Sequence, residues 1–186
     1  MRKLIWMMSV SVDGFMEGPD HDLSWNLVDE ELHQHFNDEL RDAGAFLDGR
    51  VTYELMAEYW PTADSNPASP PQIVEFAQIW RETPKFVFST TLEHADWNTT
   101  IVREVVPDDI RAMKAQPGGD LWLGGANLAV TFLRYDLIDE IRVYVHPVII
   151  GEGTRMFQAH DVHRSLRLAE THTFGNGVVL LRYERA

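Results

Sequence analysis

The same pattern occurs twice in this sequence, in Leu121-Trp122-Leu123-Gly124-Gly125-Ala126-Asn127 and in Leu47-Asp48-Gly49-Arg50-Val51-Thr52-Tyr53. Each stretch reads as a strand that ends in glycine immediately before a helix. A helix N-terminus presents unpaired N–H groups and the positive end of the helix dipole, and glycine allows an anion to approach the backbone closely. Both turns lie at the carboxyl ends of strands, where open α/β sheets bind ligands, so the pattern predicts an anion site. Ordinary tight turns produce the same pattern, and neither stretch matches a GxGxxG or P-loop motif.

The apolar periodicity on both sides of these turns predicts alternating strands and helices. Strands are predicted at residues 3–12, 45–47, 85–89, 100–104, 121–123 and 139–149. Helices are predicted at 29–41, 49–58, 72–80 and 126–135, and from Pro107 to Gly118-Gly119, with a proline-rich surface loop at 61–71. Residues 166–173 and 178–183 flank Gly175-Asn176-Gly177, which is typical of an antiparallel hairpin. The order predicts one α/β domain over residues 1–186, with a mostly parallel sheet covered on both faces and an antiparallel edge.

Composition narrows the class of protein. The chain has 186 residues, no cysteine and a formal net charge of −13. The absence of cysteine excludes disulfides, thiolate catalysis and Cys-ligated zinc, and it fits a cytoplasmic protein. The negative field argues against nucleic acid and anionic membranes as partners, and no apolar run approaches the ~18 residues of a membrane span.

The histidines do not form a metal-binding pattern. His33 and His35 are two residues apart and do not share a helix face. Folding is able to bring His163 near His160 or His172, but nothing in their spacing requires it. We therefore expect no metal site, and the absence of a G-x-S-x-G turn argues against a serine hydrolase.

A Trp-containing acidic loop precedes the helix predicted at 29–41. Its residues Trp25-Asn26-Leu27-Val28-Asp29-Glu30 place carboxylates at the mouth of that helix. A carboxylate in an apolar cleft binds an N–H-rich heterocycle through paired hydrogen bonds. Helix capping requires Asp or Glu at the same place, so both interpretations of Asp29 and Glu30 stay open.

Five stretches carry a resemblance to a known family. They are Ser9-Val10-Ser11-Val12-Asp13-Gly14, Gly49-Arg50-Val51-Thr52-Tyr53-Glu54, Lys85-Phe86-Val87-Phe88-Ser89, Leu123-Gly124-Gly125-Ala126-Asn127-Leu128, and Asp139-Glu140-Ile141 leading to His146-Pro147-Val148-Ile149-Ile150-Gly151-Glu152-Gly153. In this order and spacing the chain resembles dihydrofolate reductase-like proteins, and among them the C-terminal reductase domain of bifunctional riboflavin-biosynthesis (deaminase/reductase) proteins.

The resemblance implies a three-layer fold with a mostly parallel sheet of about eight strands, NADPH as cofactor, and hydride transfer to a small pterin- or pyrimidine-like heterocycle. The implied cofactor-binding residues are Ser9, Gly14, Met16, Gly49, Arg50, Thr52, Ser89, Thr90, Gly124, Gly125, Ala126, Asn127 and Leu128. The implied catalytic residues on the substrate side are Asp13 and Glu30. Arg50 and Ser89 would favour NADPH over NADH, because a 2′-phosphate requires guanidinium and hydroxyl partners.

Two features depart from the family pattern. Asp48 stands before Gly49 where an apolar residue is expected, and a carboxylate beside a phosphate site is unfavourable unless it is paired or turned away. His33, Gln34 and His35 stand where an apolar wall would contact folate.

Several functions stay open at this point. One named candidate substrate is 5-amino-6-(5-phosphoribosylamino)uracil of riboflavin synthesis, whose phosphate would require a second basic site, with Arg155 as the obvious residue. The alternative from another class is a non-catalytic nucleotide-binding or regulatory protein that keeps the fold. The apolar strand at 139–149, close to the hairpin, also predicts a homodimer.

Overall fold

The structure is a computed structural model that describes residues 1–158 and 162–186. The strands are β1 (Leu4–Ser11), β2 (Phe15–Glu17), β3 (Ala45–Gly49), β4 (Lys85–Phe88), β5 (Thr99–Val102), β6 (Leu121–Leu123), β7 (Glu140–His146), β8 (Thr154–Arg155), β9 (Leu166–Thr173) and β10 (Val179–Arg185). The helices are α1 (Glu30–Leu40), α2 (Arg50–Tyr59), α3 (Pro71–Glu82), α4 (Pro107–Ala115) and α5 (Ala126–Arg134). Two 3-10 turns, Pro19–His21 and Trp60–Thr62, complete the described elements.

The main sheet of the described chain has eight strands in the order β5-β4-β3-β6-β1-β7-β10-β9. The six strands from β5 to β7 are parallel to one another. β10 is antiparallel to both β7 and β9. The predicted mostly parallel sheet with a C-terminal antiparallel hairpin is therefore confirmed. β2 and β8, which pair in a small second sheet, were not predicted because each has at most three residues.

The connections diverge on either side of β1. The chain leaves β1, crosses through α1 to β3, and passes over the position that β6 later occupies between them. After β6 and α5 it continues to β7 on the other side of β1. Such a switch of direction opens a crevice at the carboxyl ends of the strands, which is where ligands bind in open α/β sheets.

Helices cover both faces of the sheet. Alternate residues of β1 belong to different core clusters, because side chains along a strand point to opposite faces. Leu4 and Trp6 pack in the cluster that includes Phe132 of α5, whereas Ile5 packs in the cluster that includes Phe76 of α3. The three layers agree with the predicted architecture. In the described residues no helix is long and apolar enough to span a membrane.

The predicted loop at 61–71 is partly ordered into regular structure. Pro61 is buried in the 3-10 turn that follows α2, and α3 begins at Pro71. Proline suits the first position of a helix because its missing N–H has no partner there in any case. The prolines therefore mark the starts of the 3-10 turn and of α3 as well as the loop between them, and they place Trp60 over the sheet.

The loops that lead into β3 and β6 contact each other through their backbones. The Gly44 N–H donates to the Asp120 carbonyl oxygen at 2.8 Å. A Cβ atom at Gly119 would lie 1.7 Å from the Asp42 carbonyl oxygen. Only glycine allows this approach, which fixes β3 beside β6 and so places their carboxyl ends together.

We expect Gly119→Ala to lower the free energy of unfolding by roughly 1–3 kcal/mol, because backbone atoms must move to admit the methyl group. Urea unfolding followed by circular dichroism measures the change. Gly18→Ala is the matched control, since its Cβ would lie 3.4 Å from the nearest atom, an ordinary contact. Equal unfolding midpoints for the two variants would contradict the close backbone approach.

Candidate functional site

Two helix N-termini lie side by side at the carboxyl edge of the sheet. β3 and β6 pair in parallel with Leu47 opposite Leu123, and the Gly124 N–H donates to the Leu47 carbonyl oxygen at 2.9 Å. α2 then begins at Arg50 and α5 at Ala126, and neither N-cap glycine supplies a side-chain capping bond. The first N–H groups of both helices are therefore available to an anion. We call residues 48–52 and 123–127 the glycine turns.

The second glycine turn has no room for side chains. A Cβ at Gly124 would lie 2.3 Å from Oδ1 of Asp48, and one at Gly125 would lie 2.8 Å from Oγ1 of Thr52. Gly125 also has a φ of +81°, a conformation that L side chains rarely adopt. The two turns thus interlock, with the side chains of one covering the bare backbone of the other.

The glycine turns open into a cleft of about 1180 Å³. The predicted cofactor-binding residues that line it are Ser9, Met16, Gly49, Arg50, Thr52, Gly124, Gly125, Ala126, Asn127 and Leu128. These residues come from four separate stretches of the chain, and the fold brings them together. Their roles stay predictions, but their convergence is a property of the structure.

Other predicted residues lie outside the lining of the cleft. The Ser89 hydroxyl accepts hydrogen bonds from the N–H groups of Thr91 and Leu92, so it orders the turn after β4, and Thr90 is exposed. Gly14, with a φ of +86°, forms the turn after β1. Sequence reasoning missed Arg103, whose guanidinium donates to the Ser89 carbonyl oxygen at 3.0 Å and brings a cation to this turn.

Asp13 holds two loops together. Its carboxylate accepts hydrogen bonds from the N–H groups of Gly151, at 2.8 Å, and Ile150, at 3.3 Å. Hydrogen bonding from the Ser11 side chain, with these backbone donors, holds the pKa of Asp13 below its ordinary value. Its geometry is that of a structural carboxylate, and its catalytic role stays a prediction.

The residues at the start of α1 have different roles, because the one that caps the helix is not the one that lines the cleft. Asp29 is the N-cap, and its Oδ1 accepts the Leu32 N–H at 3.0 Å. Glu30 is exposed and does not line the cleft, whereas His33, one turn further along α1, does. The capping interpretation is therefore the one that the geometry supports for Asp29. The predicted catalytic role of Glu30 stays a prediction without a place in the cleft.

Asp48 is a buried carboxyl at the meeting point of the glycine turns. It is 7% exposed, lines the cleft, and receives no hydrogen bond from a described residue. Burial raises the pKa of Asp48 to about 7, against the opposing charge of Lys85 on β4. Lys85 is itself buried, donates to the Thr83 and Trp80 carbonyl oxygens, and has its pKa lowered by burial to about 8. Asp48 thus changes charge near neutral pH.

Aromatic residues and a histidine form another part of the cleft lining. The Trp60 and Phe76 rings meet edge to face at 4.4 Å, and the His33 ring lies 5.8 Å from Trp60 and 6.0 Å from Phe76. Met7 and Asn26 also line the cleft. We call Met7, Asn26, His33, Trp60 and Phe76 the aromatic compartment. Burial lowers the pKa of His33, so its imidazole is neutral at pH 7.

His146 positions the loop that carries Asn26. It is fully buried at the end of β7, and its Nδ1 accepts the Leu27 N–H at 3.1 Å. The Trp25 ring packs against it edge to face at 5.5 Å. Burial lowers the pKa of His146 to about 4, so the ring stays neutral and keeps its acceptor.

Two groups of described residues considered in the sequence lie outside the cleft lining. They are Arg155, as a second phosphate site, and the histidine pair of His163 and His172. The Arg155 guanidinium stacks on the Phe15 ring at 4.4 Å and donates to the Asp13 carbonyl oxygen, outside the cleft lining. The structure describes no group of three potential metal-ligating side chains in residues 1–158 and 162–186. His160, named above as a partner for His163, lies outside the described residues.

The sheet order, the paired helix N-termini and the cleft define an α/β protein with a candidate ligand site at the carboxyl edge of its sheet. The chain belongs to the RibD C-terminal domain family, whose model matches residues 2–180. The resemblance to the reductase domain of riboflavin-biosynthesis proteins is therefore confirmed.

Curated relatives and solved structures match this chain over nearly its whole length. The uncharacterized protein YyaP of Bacillus subtilis is 32% identical over 98% of this chain and 94% of its own length. The uncharacterized protein YwjB of the same organism is 27% identical over 100% and 99%. A putative riboflavin biosynthesis protein from Shewanella sp. PV-4 superposes with a TM-score of 0.76 at 20% identity, covering 99% of both chains. A pyrimidine reductase-like protein from Corynebacterium diphtheriae gives 0.65 at 12%, covering 100% of this chain and 92% of its own. At these identities the two solved structures show the fold.

We expect Gly124→Ala to destabilise the protein by roughly 1–3 kcal/mol, because the new methyl group meets the Asp48 carboxyl. In an Asp48→Ala background that carboxyl is absent, so the same substitution should cost less. Chemical unfolding of the wild type, both single variants and the double variant gives the coupling energy. Additive effects in this cycle would show that the contact between Asp48 and Gly124 is not formed.

Proposed function

We propose that this protein is an NADPH-dependent reductase that transfers hydride to a small pterin- or pyrimidine-like heterocycle. The observation that carries the proposal is the convergence of two helix N-termini without side-chain caps, at Arg50 and Ala126, in a cleft that also holds the aromatic compartment. Anion-binding N–H groups suit a dinucleotide pyrophosphate, and an aromatic lining suits a planar ring. The phosphoribosylamino-uracil of riboflavin synthesis is one candidate substrate.

The glycine turns fit a dinucleotide. No side chain stands on Gly124 or Gly125, and a methyl group on either would meet Asp48 or Thr52. The Gly124 N–H is bonded to the Leu47 carbonyl oxygen, so the N–H groups that would face an anion are those of the first residues of α2 and α5. When bound, NADPH supplies the hydride. The glycine turns would hold its pyrophosphate, with Arg50, Ser89 and Thr90 toward the 2′-phosphate. Ser9, Gly14, Met16, Asn127 and Leu128 would position the nicotinamide end.

The substrate proton is assigned to solvent or to a carboxyl that lines the cleft. Asp13 is engaged with Gly151 and Ile150, and Glu30 is exposed beyond the cleft lining. This same observation favours the second candidate function, a non-catalytic nucleotide-binding or regulatory protein. NADPH binding with no turnover on any pterin or pyrimidine would support the second candidate over the reductase.

Residues 1–186 are proposed to act as one cytoplasmic domain that forms a homodimer. The strand that suggested a dimer, β7, lies inside the sheet between β1 and β10, whereas β9 is the edge strand on that side of the sheet. β9 exposes Leu166 and Leu168 by 40% and 50%. The homodimer stays a prediction, and β9 is the edge that it would use.

We expect wild-type protein to bind NADPH more tightly than NADH in a tryptophan-fluorescence titration, and Arg50→Ala to weaken NADPH binding by roughly 1–3 kcal/mol. Arg50 now pairs with Glu54 on the exposed start of α2, so the substitution removes a phosphate ligand and little stability. Arg111→Ala is the matched control, because Arg111 forms a similar exposed pair with Asp108 on α4. An unchanged dissociation constant for Arg50→Ala would exclude Arg50 as a phosphate ligand.

NADPH affinity should fall as the pH rises from 7 to 8.5. Asp48, with its pKa raised to about 7, is protonated below this range and becomes an anion within it. The linked uptake of one proton on binding changes the dissociation constant by up to about tenfold per pH unit. The 2′-phosphate does not contribute, since its second pKa lies near 6.

Asp48→Asn should remove most of this pH dependence and tighten binding at pH 8.5. Any pH dependence of NADPH binding that remains is assigned to the titration of Lys85, whose pKa is lowered to about 8. Isothermal titration calorimetry of wild type and Asp48→Asn at four pH values measures the NADPH dissociation constant of each protein. The same pH profile in wild type and Asp48→Asn would show that Asp48 does not face the bound phosphates.

A further inference from the structure

The aromatic compartment lies well removed from the cation at the glycine turns. Trp60 follows α2, ten residues beyond Arg50, so its backbone lies about 15 Å along the helix at about 1.5 Å per residue. Trp60, Phe76 and Met7 make the compartment apolar, and its Trp60 and Phe76 rings meet edge to face. Such walls favour a planar ring and give no compensation for the lost hydration of a phosphate.

Two polar atoms of the compartment are buried without partners. Neither Oδ1 of Asn26 nor Nδ1 of His33 has a partner in good hydrogen-bond geometry in the described structure, and both are inaccessible to solvent, although the Asn37 side chain one turn further along α1 interacts with the His33 ring. The Asn26 side-chain nitrogen is engaged with the Leu23 carbonyl oxygen at 3.3 Å, which orients the amide. A buried polar atom without a partner costs about 1–3 kcal/mol. Both atoms lie beneath the cleft surface, so a ligand with N–H and ring-nitrogen or carbonyl groups would recover that cost where the side chain turns toward it on binding.

The charges of the cleft oppose a second phosphate. Arg50 is the one Lys or Arg among the described residues that line the cleft, and the three undescribed residues, Ala159, His160 and Asp161, include neither type. The other ionisable side chains of the described lining, apart from His21 and His33, are carboxyls. Glu17 is 6% exposed and pairs with His21 at 2.9 Å, and Asp48 is buried beside the glycine turns. With Arg155 stacked on Phe15, no described Lys or Arg in the lining is left for a substrate phosphate once Arg50 serves the cofactor.

We infer that the substrate is an uncharged planar heterocycle without a phosphate group, a free base or nucleoside, bound in the aromatic compartment through His33 and Asn26. The inference rests on the proposed function, in which the glycine turns and Arg50 hold the cofactor. It separates this chain from a reductase of phosphoribosyl pyrimidines, because a phosphate dianion would enter the cleft beside Glu17 with no cation to pair with.

The test compares 5-amino-6-(ribosylamino)uracil with its 5′-phosphate, by calorimetry on protein saturated with NADP⁺. The expected result is binding of the nucleoside at least about tenfold more tightly than the phosphate, a difference of about 1.4 kcal/mol. Equal affinities, or tighter binding of the phosphate, overturn the inference. Binding of neither compound also overturns it, because the compartment then does not accept this class of heterocycle.

Variants tie the ligand to the compartment. His33→Ala and Asn26→Ala should each weaken nucleoside binding more than fivefold and leave the NADPH dissociation constant unchanged, which also shows that the variants are folded. His94→Ala, on an exposed loop, is the control. Nucleoside affinity that is unaffected by both variants would place the ligand elsewhere. Failure of NADPH to bind wild-type protein would instead overturn the proposed function, so the two failures are distinguishable.

Discussion

The structure depends on the direct pairing of β3 with β6. Backbone contacts between Gly44 and Gly119 hold the entrances of the two strands together, and the Gly124 N–H bonds to Leu47 at their exits. Because both strands lead into helices, this pairing places the N-termini of α2 and α5 side by side. Two helix dipoles at one edge make a stronger anion site than either alone. The glycines at 124 and 125 are therefore required both by packing and by the site.

Asp48 works against this positive edge. A carboxylate among exposed N–H groups partly cancels their field, and its burial beside Lys85 leaves it close to its titration point. In its protonated form the same group becomes a hydrogen-bond donor toward an anion. An apolar residue at this position would remove this titrating carboxyl from the edge. The chain has instead a buried carboxyl beside the glycine turns, with its pKa raised to about 7.

Much of this arrangement was predictable from local patterns. The two glycine turns, the order of strands and helices, and the hairpin follow from periodicity and turn residues within a few positions of where they lie. Sequence reasoning also identified Asp48 as unusual. It did not find β2 and β8, because two- and three-residue strands carry no period. It did not find that His146 orders the loop at Asn26, because that contact joins residues 119 apart in the chain.

The geometry of α1 explains why an acid was expected in the cleft and a histidine lies there. A capping carboxylate and a cleft residue both belong near the start of this helix, but they face different directions. With Asp29 as the N-cap, Glu30 begins the helix on its exposed side, and His33 follows one turn later toward Trp60 and Phe76. Exchanging a carboxylate for a neutral imidazole changes what the cleft recognises. A carboxylate selects a ligand rich in N–H donors or a cation, whereas a neutral imidazole offers one donor and one acceptor to an uncharged ring. The lack of a second Lys or Arg in the described lining and the acidic Glu17 act in the same direction. Under the proposed function, recognition on the substrate side would therefore rest on ring shape and hydrogen bonds, and that of the cofactor on charge.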